Sequence, residues 1–428
     1  MKQLLPRPWR WILALTLYPF WPVWAVEKPR AWNLKEIESA IRQQNSDILS
    51  IQTDRDMKAS ENEMVSARFQ PSLFAKVGVV SENTEDEQRS GPVLTLEGRW
   101  NLYRGGRDEL ARRRLAVETS HVTYELAART HALLFDARSL FYQVLAAQQK
   151  QRLLEQEISL TDRQAAIAHR RTRAGVATMA DELEFQLRGE ELTSQLRSLE
   201  AQKEKHLIAL KELMNQPQAE NLAIKGEWPK VIDRAEVALI DSHPTLLRLR
   251  DEVALQTLES ERVRAEYRPE IEAFASLGKI SPTPRAEKFE SVVGLSLAFP
   301  LYDGFQQRAA QSVAELKQKK ALIELGKVQR QLSTEIETIR LERSELDRLK
   351  DLNEKRLAYA EKYLQVTIEE YERGVKNSPD VLGASEHLFG SKIKKIDLAL
   401  QAALLGAKVE SIFQRATEES TRSEKNER

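Results

Sequence analysis

Two stretches of more than sixty residues each, 107–172 and 305–372, limit what this chain can fold into. The first contains neither Gly nor Pro, and the second contains one Gly and no Pro. Without these helix-breaking residues each stretch predicts one continuous helix, ~100 Å long at a rise of about 1.5 Å per residue. Apolar residues recur at heptad spacing, as in Leu126, Leu133 and Leu140, which predicts coiled-coil packing with solvated charged faces. No ordinary globular core needs a helix of that length.

Both long stretches end in the same motif, G-V-x-x-x-x-D-x-L. It runs from Gly175 to Leu183 and again from Gly374 to Leu382, so the two copies lie 199 residues apart. A Gly supplies the left-handed conformation that ends one helix, and an Asp is favoured near the start of the next. Each motif therefore predicts a tight turn between two antiparallel helices.

The same offset recurs elsewhere, which predicts an internal duplication. Pro71 corresponds to Pro269 at an offset of 198, L-Y-x-G at 102–105 corresponds to 301–304 at 199, and Asn45–Ile48 falls on His243–Leu246. The first predicted repeat, 26–219, has a helix over 34–68, a strand pair within 73–103, the long helix 107–172 and a returning helix 178–214. The second, 220–415, has a helix over 235–266, a strand pair within 271–302, the long helix 305–372 and a returning helix 379–415. A polar tail, 416–428, follows.

The strand pairs alternate in polarity. In 93–103 one set of alternate residues is Leu94, Leu96, Gly98, Trp100 and Leu102, and the other set, which includes Tyr103, is mostly polar. A soluble half-buried sheet gives the same local pattern, but the short polar connections and the aromatic residues at the strand ends favour outer-membrane strands. Four strands are too few to close a barrel in lipid, where open edges are not tolerated. Several chains are therefore expected to share one barrel.

Residues 1–25 have the features of a secretory signal. A positive start is followed by an apolar stretch, 11–23, and a plausible cleavage site at Val23-Trp24-Ala25. A retained membrane anchor is the competing interpretation, but the apolar part is short and contains Pro19 and Pro22.

Composition and motifs argue against several functional classes. The chain has no Cys, which excludes disulfides, thiolate metal sites and a lipidated N-terminal Cys. Lys plus Arg equals Asp plus Glu, at 65 each, which argues against nucleic-acid binding. There is no phosphate-binding loop, no serine nucleophile elbow and no paired histidine spacing, so no enzymatic activity, cofactor or metal site is predicted.

The chain resembles TolC-type outer-membrane channels, the outer membrane efflux proteins of bacterial efflux and type I secretion systems. The resemblance lies in the duplicated plan, the Pro before each strand pair, the L-Y-x-G after it and the paired turns. The resemblance covers nearly all of the chain after residue 25. It implies a mainly α-helical fold with membrane β-strands, a homotrimer in which duplicated helical hairpins form an α-barrel, and a shared twelve-stranded β-barrel surrounded by outer-membrane lipid. It further implies a position in the outer membrane that extends into the periplasm, where a periplasmic adaptor (membrane fusion) protein and an inner-membrane transporter would engage the helix turns.

The resemblance also assigns roles around the turns. The adaptor-docking residues would be Gly175, Val176 and Leu183 in the first turn and Gly374, Val375 and Leu382 in the second. The periplasmic gate would comprise Tyr371, Lys376, Asp380 and Asp181, and Gly383 stands where some family members carry a second acid. Three copies of Asp380 near a symmetry axis would repel one another and attract cations. Asp380 could equally be an ordinary acid at a helix N-terminus.

The sequence thus favours a passive exit duct that is opened and supplied by its partners. A periplasmic coiled-coil adaptor or scaffold is the alternative, because it shares the long hairpins, but it would need a small β domain where this chain has alternating strand pairs. An exported hydrolase with a coiled-coil insertion has no motif in its favour. Cargo is not predicted, since a polar duct need not recognise what passes through it.

Overall fold

The computed structural model describes residues 31–83, 88–217, 222–229, 241–279 and 290–413. The predicted signal segment 1–25 and the predicted tail 416–428 lie outside these residues. In chain order the elements are β1 (Ala31–Trp32), α1 (Leu34–Gln44), α2 (Ser46–Ala67), β2 (Ser72–Asn83), β3 (Gln88–Arg104), α3 (Arg107–Arg173), α4 (Met179–Leu213), β4 (Ala223–Ile224), α5 (Pro244–Ala265), β5 (Glu270–Lys279), β6 (Glu290–Ala298), α6 (Gln306–Glu372) and α7 (Ser378–Phe413).

Two helix starts preserve the predicted duplication in their backbone geometry. Asn45 and His243 both have φ −65° and ψ 128°, and each caps the helix that follows it. The Asn45 side chain accepts the N–H of Asp47 at 3.0 Å, and Nδ1 of His243 accepts the N–H of Thr245 at 3.2 Å. The sequence predicts one helix over 34–68, whereas the structure has two, because the extended backbone of Asn45 ends α1 and starts α2.

The four longer strands form one antiparallel sheet in the order β2-β3-β5-β6. Trp100 pairs with Ala273 on one face, which carries the exposed apolar side chains, and Glu97 pairs with Ser276 on the other. An ion pair between Lys76 and Glu97 at 2.7 Å lies on this polar face, and Phe74 and Phe274 are among its apolar exceptions. In the part of the chain that the structure describes, β2 and β6 each leave one edge unpaired.

Two details of the sheet differ from the predicted alternation. The register shifts between Asn101 and Tyr103, and Tyr103 pairs with Ile271, so the shift places Tyr103 on the apolar face with Trp100. The strand predicted to continue to residue 302 ends at Ala298, shortly before Pro300.

The long helices pack side by side as two hairpins. α3 and α4 form one hairpin, α6 and α7 form the other, and the hairpins meet through α3 and α7. Nearer the sheet, α3 packs against α2 and α5, and α5 packs against α6. The largest buried cluster lies midway along α3, where Ile41, Phe141, Leu210 and Ile224 pack together.

A short parallel pair, β1 with β4, crosses this cluster and joins the N-terminal segment to the link between the repeats. Gly226 follows β4, and a Cβ at this position would lie 2.6 Å from the Phe141 ring, so the close approach requires Gly.

Within the described ranges, none of the helices combines the length and the hydropathy that a membrane-spanning helix requires.

Candidate functional site: the paired helix turns

The first turn joins α3 to α4 at the end of the hairpin far from the sheet. Gly175 has φ +75°, and its N–H donates to the Thr172 carbonyl at 3.0 Å while the N–H of Val176 donates to the Arg171 carbonyl at 3.0 Å. These bonds satisfy carbonyls that the helix end would leave free. Thr178 and Asp181 then form a capping box that starts α4.

The second turn, between α6 and α7, repeats this geometry with different side chains. Gly374 has φ +80°, and its N–H donates to the Tyr371 carbonyl at 3.0 Å. The N–H of Asp380 donates to the Asn377 side chain at 3.4 Å, and the Asp380 carboxylate accepts the N–H of Asn377 at 3.3 Å. The Lys376 ammonium lies 3.7 Å from the same carboxylate. Asp380 therefore serves as a helix-start acid in its own turn.

Asp181 links the two turns. Its Oδ2 accepts the Thr178 N–H at 2.9 Å within the first turn, and its Oδ1 accepts the Ser378 N–H at 3.4 Å from the second. The hydrogen bonds from Thr178, followed by those from Ser378, hold the pKa of the Asp181 carboxyl below its usual value. The carboxylate stays ionised at neutral pH, so this link between the hairpins persists there.

Arg171 makes the second link. Its Nη1 donates to the Tyr371 carbonyl at 2.7 Å, and its guanidinium carbon lies 4.3 Å from the centroid of the Tyr371 ring. The ring is 6% exposed and packs with Ala168, Phe185 and Val381, which together we call the tip cluster. Within the described residues the Tyr371 hydroxyl has no hydrogen-bond partner. Tyr371 thus joins the hairpins through its ring and its carbonyl.

The structure brings the four predicted gate residues, Tyr371, Lys376, Asp380 and Asp181, to one end of the molecule. It does not link Lys376 to the first turn, because the Lys376 ammonium pairs within its own turn. Sequence reasoning missed Arg171, which is one of three arginines in the last turn of α3 with no local signal to distinguish it. It also missed Thr178, although T-x-x-D before a helix is a recognisable capping signature.

The predicted docking residues differ between the two copies. Val176 and Val375 are both open to solvent, at 64% and 72% exposure. Leu183 is 45% exposed, whereas its counterpart Leu382 is half-buried against the tip cluster. The two turns therefore present unequal apolar surfaces.

The helix ends that enter the two turns also differ in charge. The last turn of α3 carries Arg170, Arg171 and Arg173, whereas α6 ends with Glu369, Glu370 and Glu372. Cations near a helix C-terminus are favoured by the helix dipole and anions are disfavoured there. The acidic end of α6 is thus the less favourable one for the isolated helix. Among the described residues no group of three or more His, Asp or Glu side chains could hold a metal ion.

Residues 238–405, most of the second repeat, match the family model described as outer membrane efflux protein. This chain carries an outer membrane efflux protein domain. The predicted resemblance to TolC-type channels is confirmed by this match and by solved structures of the same fold. No curated protein sequence matches the chain.

Solved structures match the outer membrane efflux protein domain together with the rest of the described fold. The outer membrane protein VceC from Vibrio cholerae aligns with a TM-score of 0.78 at 14% identity, covering 89% of this chain and 95% of that chain. A membrane protein from Pseudomonas aeruginosa gives 0.80 at 19% identity, with 89% and 93% covered. The Campylobacter jejuni CmeC outer membrane channel gives 0.81 at 14%, with 92% and 89% covered. The predicted fold class, long helical hairpins with four strands per chain, is confirmed.

Proposed function

We propose that this protein is the passive outer-membrane exit duct of a tripartite efflux or type I secretion system. Three copies would each supply four strands to a twelve-stranded barrel, and their helical hairpins would continue the duct into the periplasm. One observation carries the proposal. The sheet exposes an apolar face at one end of the molecule, and paired turns lie at the other end of ~100 Å helices.

The sheet edges support assembly from several copies. The edges of β2 and β6 have no strand partner within the described residues, and each carries backbone groups that need hydrogen bonds in lipid. An apolar outer face and a polar inner face with the Lys76–Glu97 ion pair suit strands that separate lipid from water. Pairing β6 of one copy with β2 of the next satisfies both edges. The number three comes from the resemblance.

The paired turns would receive a periplasmic adaptor, which connects the duct to an inner-membrane transporter. The exposed Val176 and Val375 lie at the farthest points from the sheet, where the duct can meet a partner. Apolar side chains that remain exposed at a helix turn are well placed to bury surface against a second protein. Transport energy would come from the inner-membrane transporter, since this chain has no motif for nucleotide chemistry.

The duct would be closed at the turns when no partner is bound. Asp181 and Arg171 of the first hairpin hold the backbone of the second through Ser378 and Tyr371. Weakening these two links would let the hairpin α6–α7 move away from α3. Lys376 and Asp380 would add charge at the constriction if three second turns meet near the axis.

Fractionation tests the location. The protein should stay with outer membranes and require detergent for extraction, and cross-linking of the extract should end at a trimer. Recovery in the soluble periplasm without detergent would contradict the duct and favour a periplasmic adaptor or scaffold. A product series that ends at another number would contradict the trimer alone.

A photo-cross-linking residue at position 176 tests the docking role. It should capture a periplasmic partner, whereas the same residue at Ile208, exposed far from the turns on α4, should not. Equal capture at both positions would contradict docking at the turns.

A further inference from the structure

A cavity of about 410 Å³ lies where the long helices meet the sheet. Its walls come from the end of α2, the start of α3 and the second half of α5. The charged lining residues are Arg68, Arg104, Arg107, Arg114, Arg262, Glu61, Asp108 and Glu118. Five guanidinium groups and three carboxylates therefore line one cavity, and an anion can bind there only at a guanidinium that is not already held by a carboxylate.

The five arginines are not equally available. Arg114 and Arg262 are held by Glu259, each at 2.8 Å, and Arg107 contacts Glu270. Arg104 lies 3.7 Å from Asp108, too far for a strong hydrogen bond. Arg68 is exposed and forms no ion pair within the described residues. In the described part of the chain, Arg68 is thus the lining cation without an ion pair, and Arg104, with its single long contact to Asp108, is the next most available to a ligand.

The rest of the lining is apolar. Val65, Leu110, Leu115 and Leu258 line the cavity from three helices, and each is buried. A small inorganic anion would use only the charged side of such a cavity. An anion with an apolar body would also cover the aliphatic side chains and remove apolar surface from water.

The cavity continues the polar face of the sheet. Arg104 pairs in register with Glu270, and Glu272 of the same face pairs with Asn101. Trp100 and its partner Ala273 lie on the opposite, apolar face. If the sheet separates lipid from water as proposed above, the cavity opens towards the water-filled interior of the duct.

We propose that this cavity binds amphiphilic organic anions, with a phosphate or carboxylate group at Arg68 and Arg104 and an apolar body against Leu110, Leu115 and Leu258. The site rests on the proposed function in one respect, since its place on the transport path requires the duct. In that setting it gives anionic cargo a binding step between the helical and the stranded parts of the duct.

Direct binding tests the proposal on the full chain in nanodiscs of zwitterionic lipid. Isothermal titration calorimetry compares 2-naphthyl phosphate with 2-naphthol, which lacks the anion, and with inorganic phosphate, which lacks the apolar body. We expect 2-naphthyl phosphate to bind at least about tenfold more tightly than either, because only this probe uses both sides of the cavity. Equal binding of 2-naphthol, or no binding of 2-naphthyl phosphate, overturns the proposal.

Two variants localise the site. Arg68→Gln should weaken binding of 2-naphthyl phosphate by about fivefold, the loss expected for one solvent-exposed ion pair. Arg55→Gln, an exposed change on α2, which ends just before Arg68, lies away from the cavity and should leave the affinity unchanged. Equal affinities of the wild-type protein and Arg68→Gln would overturn the assignment to this cavity.

A second lipid composition distinguishes a free anion from a lipid headgroup as the source of the phosphate group. With phosphatidylglycerol in the nanodiscs, an unchanged affinity supports a site that faces the duct interior. Loss of measurable binding would overturn that placement and identify a lipid phosphate as the occupant. Binding of 2-naphthyl phosphate is measured independently of transport, so the two proposals can fail separately. If the channel conducts but does not bind the probe, only this inference is refuted. If the protein binds the probe but does not conduct, only the duct is refuted.

Discussion

Replacing Arg171 tests whether one side chain holds the two hairpins together at their turns. Its hydrogen bond to the Tyr371 carbonyl has a charged donor, and such bonds contribute about 1.5–3 kcal/mol. The lower end applies, because the same carbonyl also accepts the Gly374 N–H and is not left without a partner. The guanidinium over the buried ring adds about 1 kcal/mol. Arg171→Met should therefore weaken the contact between the hairpins by about 2–3 kcal/mol.

A second substitution separates the two contributions. Tyr371→Leu removes the ring but keeps the backbone carbonyl, so the hydrogen bond from Arg171 can persist. In a double-mutant cycle, the coupling between Arg171→Met and Tyr371→Leu should be about 1 kcal/mol, the share of the cation–π contact. A coupling near zero would assign the whole effect of Arg171 to the hydrogen bond.

Single-channel recording in planar bilayers measures the consequence. A loss of about 2 kcal/mol shifts an equilibrium between closed and open turns by roughly thirtyfold, since about 1.4 kcal/mol corresponds to tenfold. Arg171→Met should raise the mean conductance accordingly. Arg173→Met is the matched control, because Arg173 is exposed and forms no ion pair among the described residues. Unchanged conductance in Arg171→Met, or an equal increase in the control, would refute the reasoning.

Three further predictions concern the turns and the repeat. Asp380→Ala should abolish block of the channel by multivalent cations, and persistence of the block in bilayer recordings would place the cation site elsewhere. Asp181 has a pKa held below 3.8, so its contribution to stability is complete above that pH and is lost as the pH falls through the lowered pKa. Asp181→Asn should thus lower the free energy of unfolding by about 1 kcal/mol at pH 7. It should also reduce the fall in melting temperature that the wild-type protein shows as the pH is lowered, and an unchanged fall would contradict this. Gly105→Ala should cost about 1–3 kcal/mol, because Gly105 has φ +62° and a Cβ there would lie 2.8 Å from a backbone carbonyl. Gly304→Ala, at φ +67° in open space, should cost less in chemical denaturation, and equal costs would show that the close contact is unimportant.

The helices and their turns could be predicted from sequence because their signals are local. The stretch 107–172 corresponds to Arg107–Arg173 in the structure, and 305–372 corresponds to Gln306–Glu372. Gly175 and Gly374 end these helices in the left-handed conformation that only Gly adopts without strain. Neither signal depends on a distant part of the chain.

The helix break at Asn45 was available to sequence reasoning but was missed. Asn is a favoured N-cap residue, and the aligned position in the second repeat is His243 followed by Pro244, a residue suited to the first position of a helix. Both copies therefore indicate that a helix starts at this position, although apolar periodicity alone predicts one continuous helix through it. The register shift beside Tyr103 had no such signal, since it depends on how β3 pairs with β5.

The contacts between the hairpins could not be predicted because their partners lie far apart in sequence. Arg171 contacts Tyr371, 200 residues away, and Asp181 contacts Ser378, 197 residues away. The duplicated motif fixes the backbone of each turn but not which residue of one turn reaches the other. That choice depends on how α3 packs against α7, which periodicity does not specify.

The two turns thus share a backbone conformation and differ in their surfaces. Asp181 reaches across to the second turn, whereas its counterpart Asp380 stays with Lys376 in its own turn. The end of α3 is basic and the end of α6 is acidic. If the turns were equivalent, a partner bound to a ring of them would meet one repeated surface. Because they differ in charge and in apolar exposure, an adaptor that contacts both turns, as we propose, must present two different surfaces to each copy of this chain.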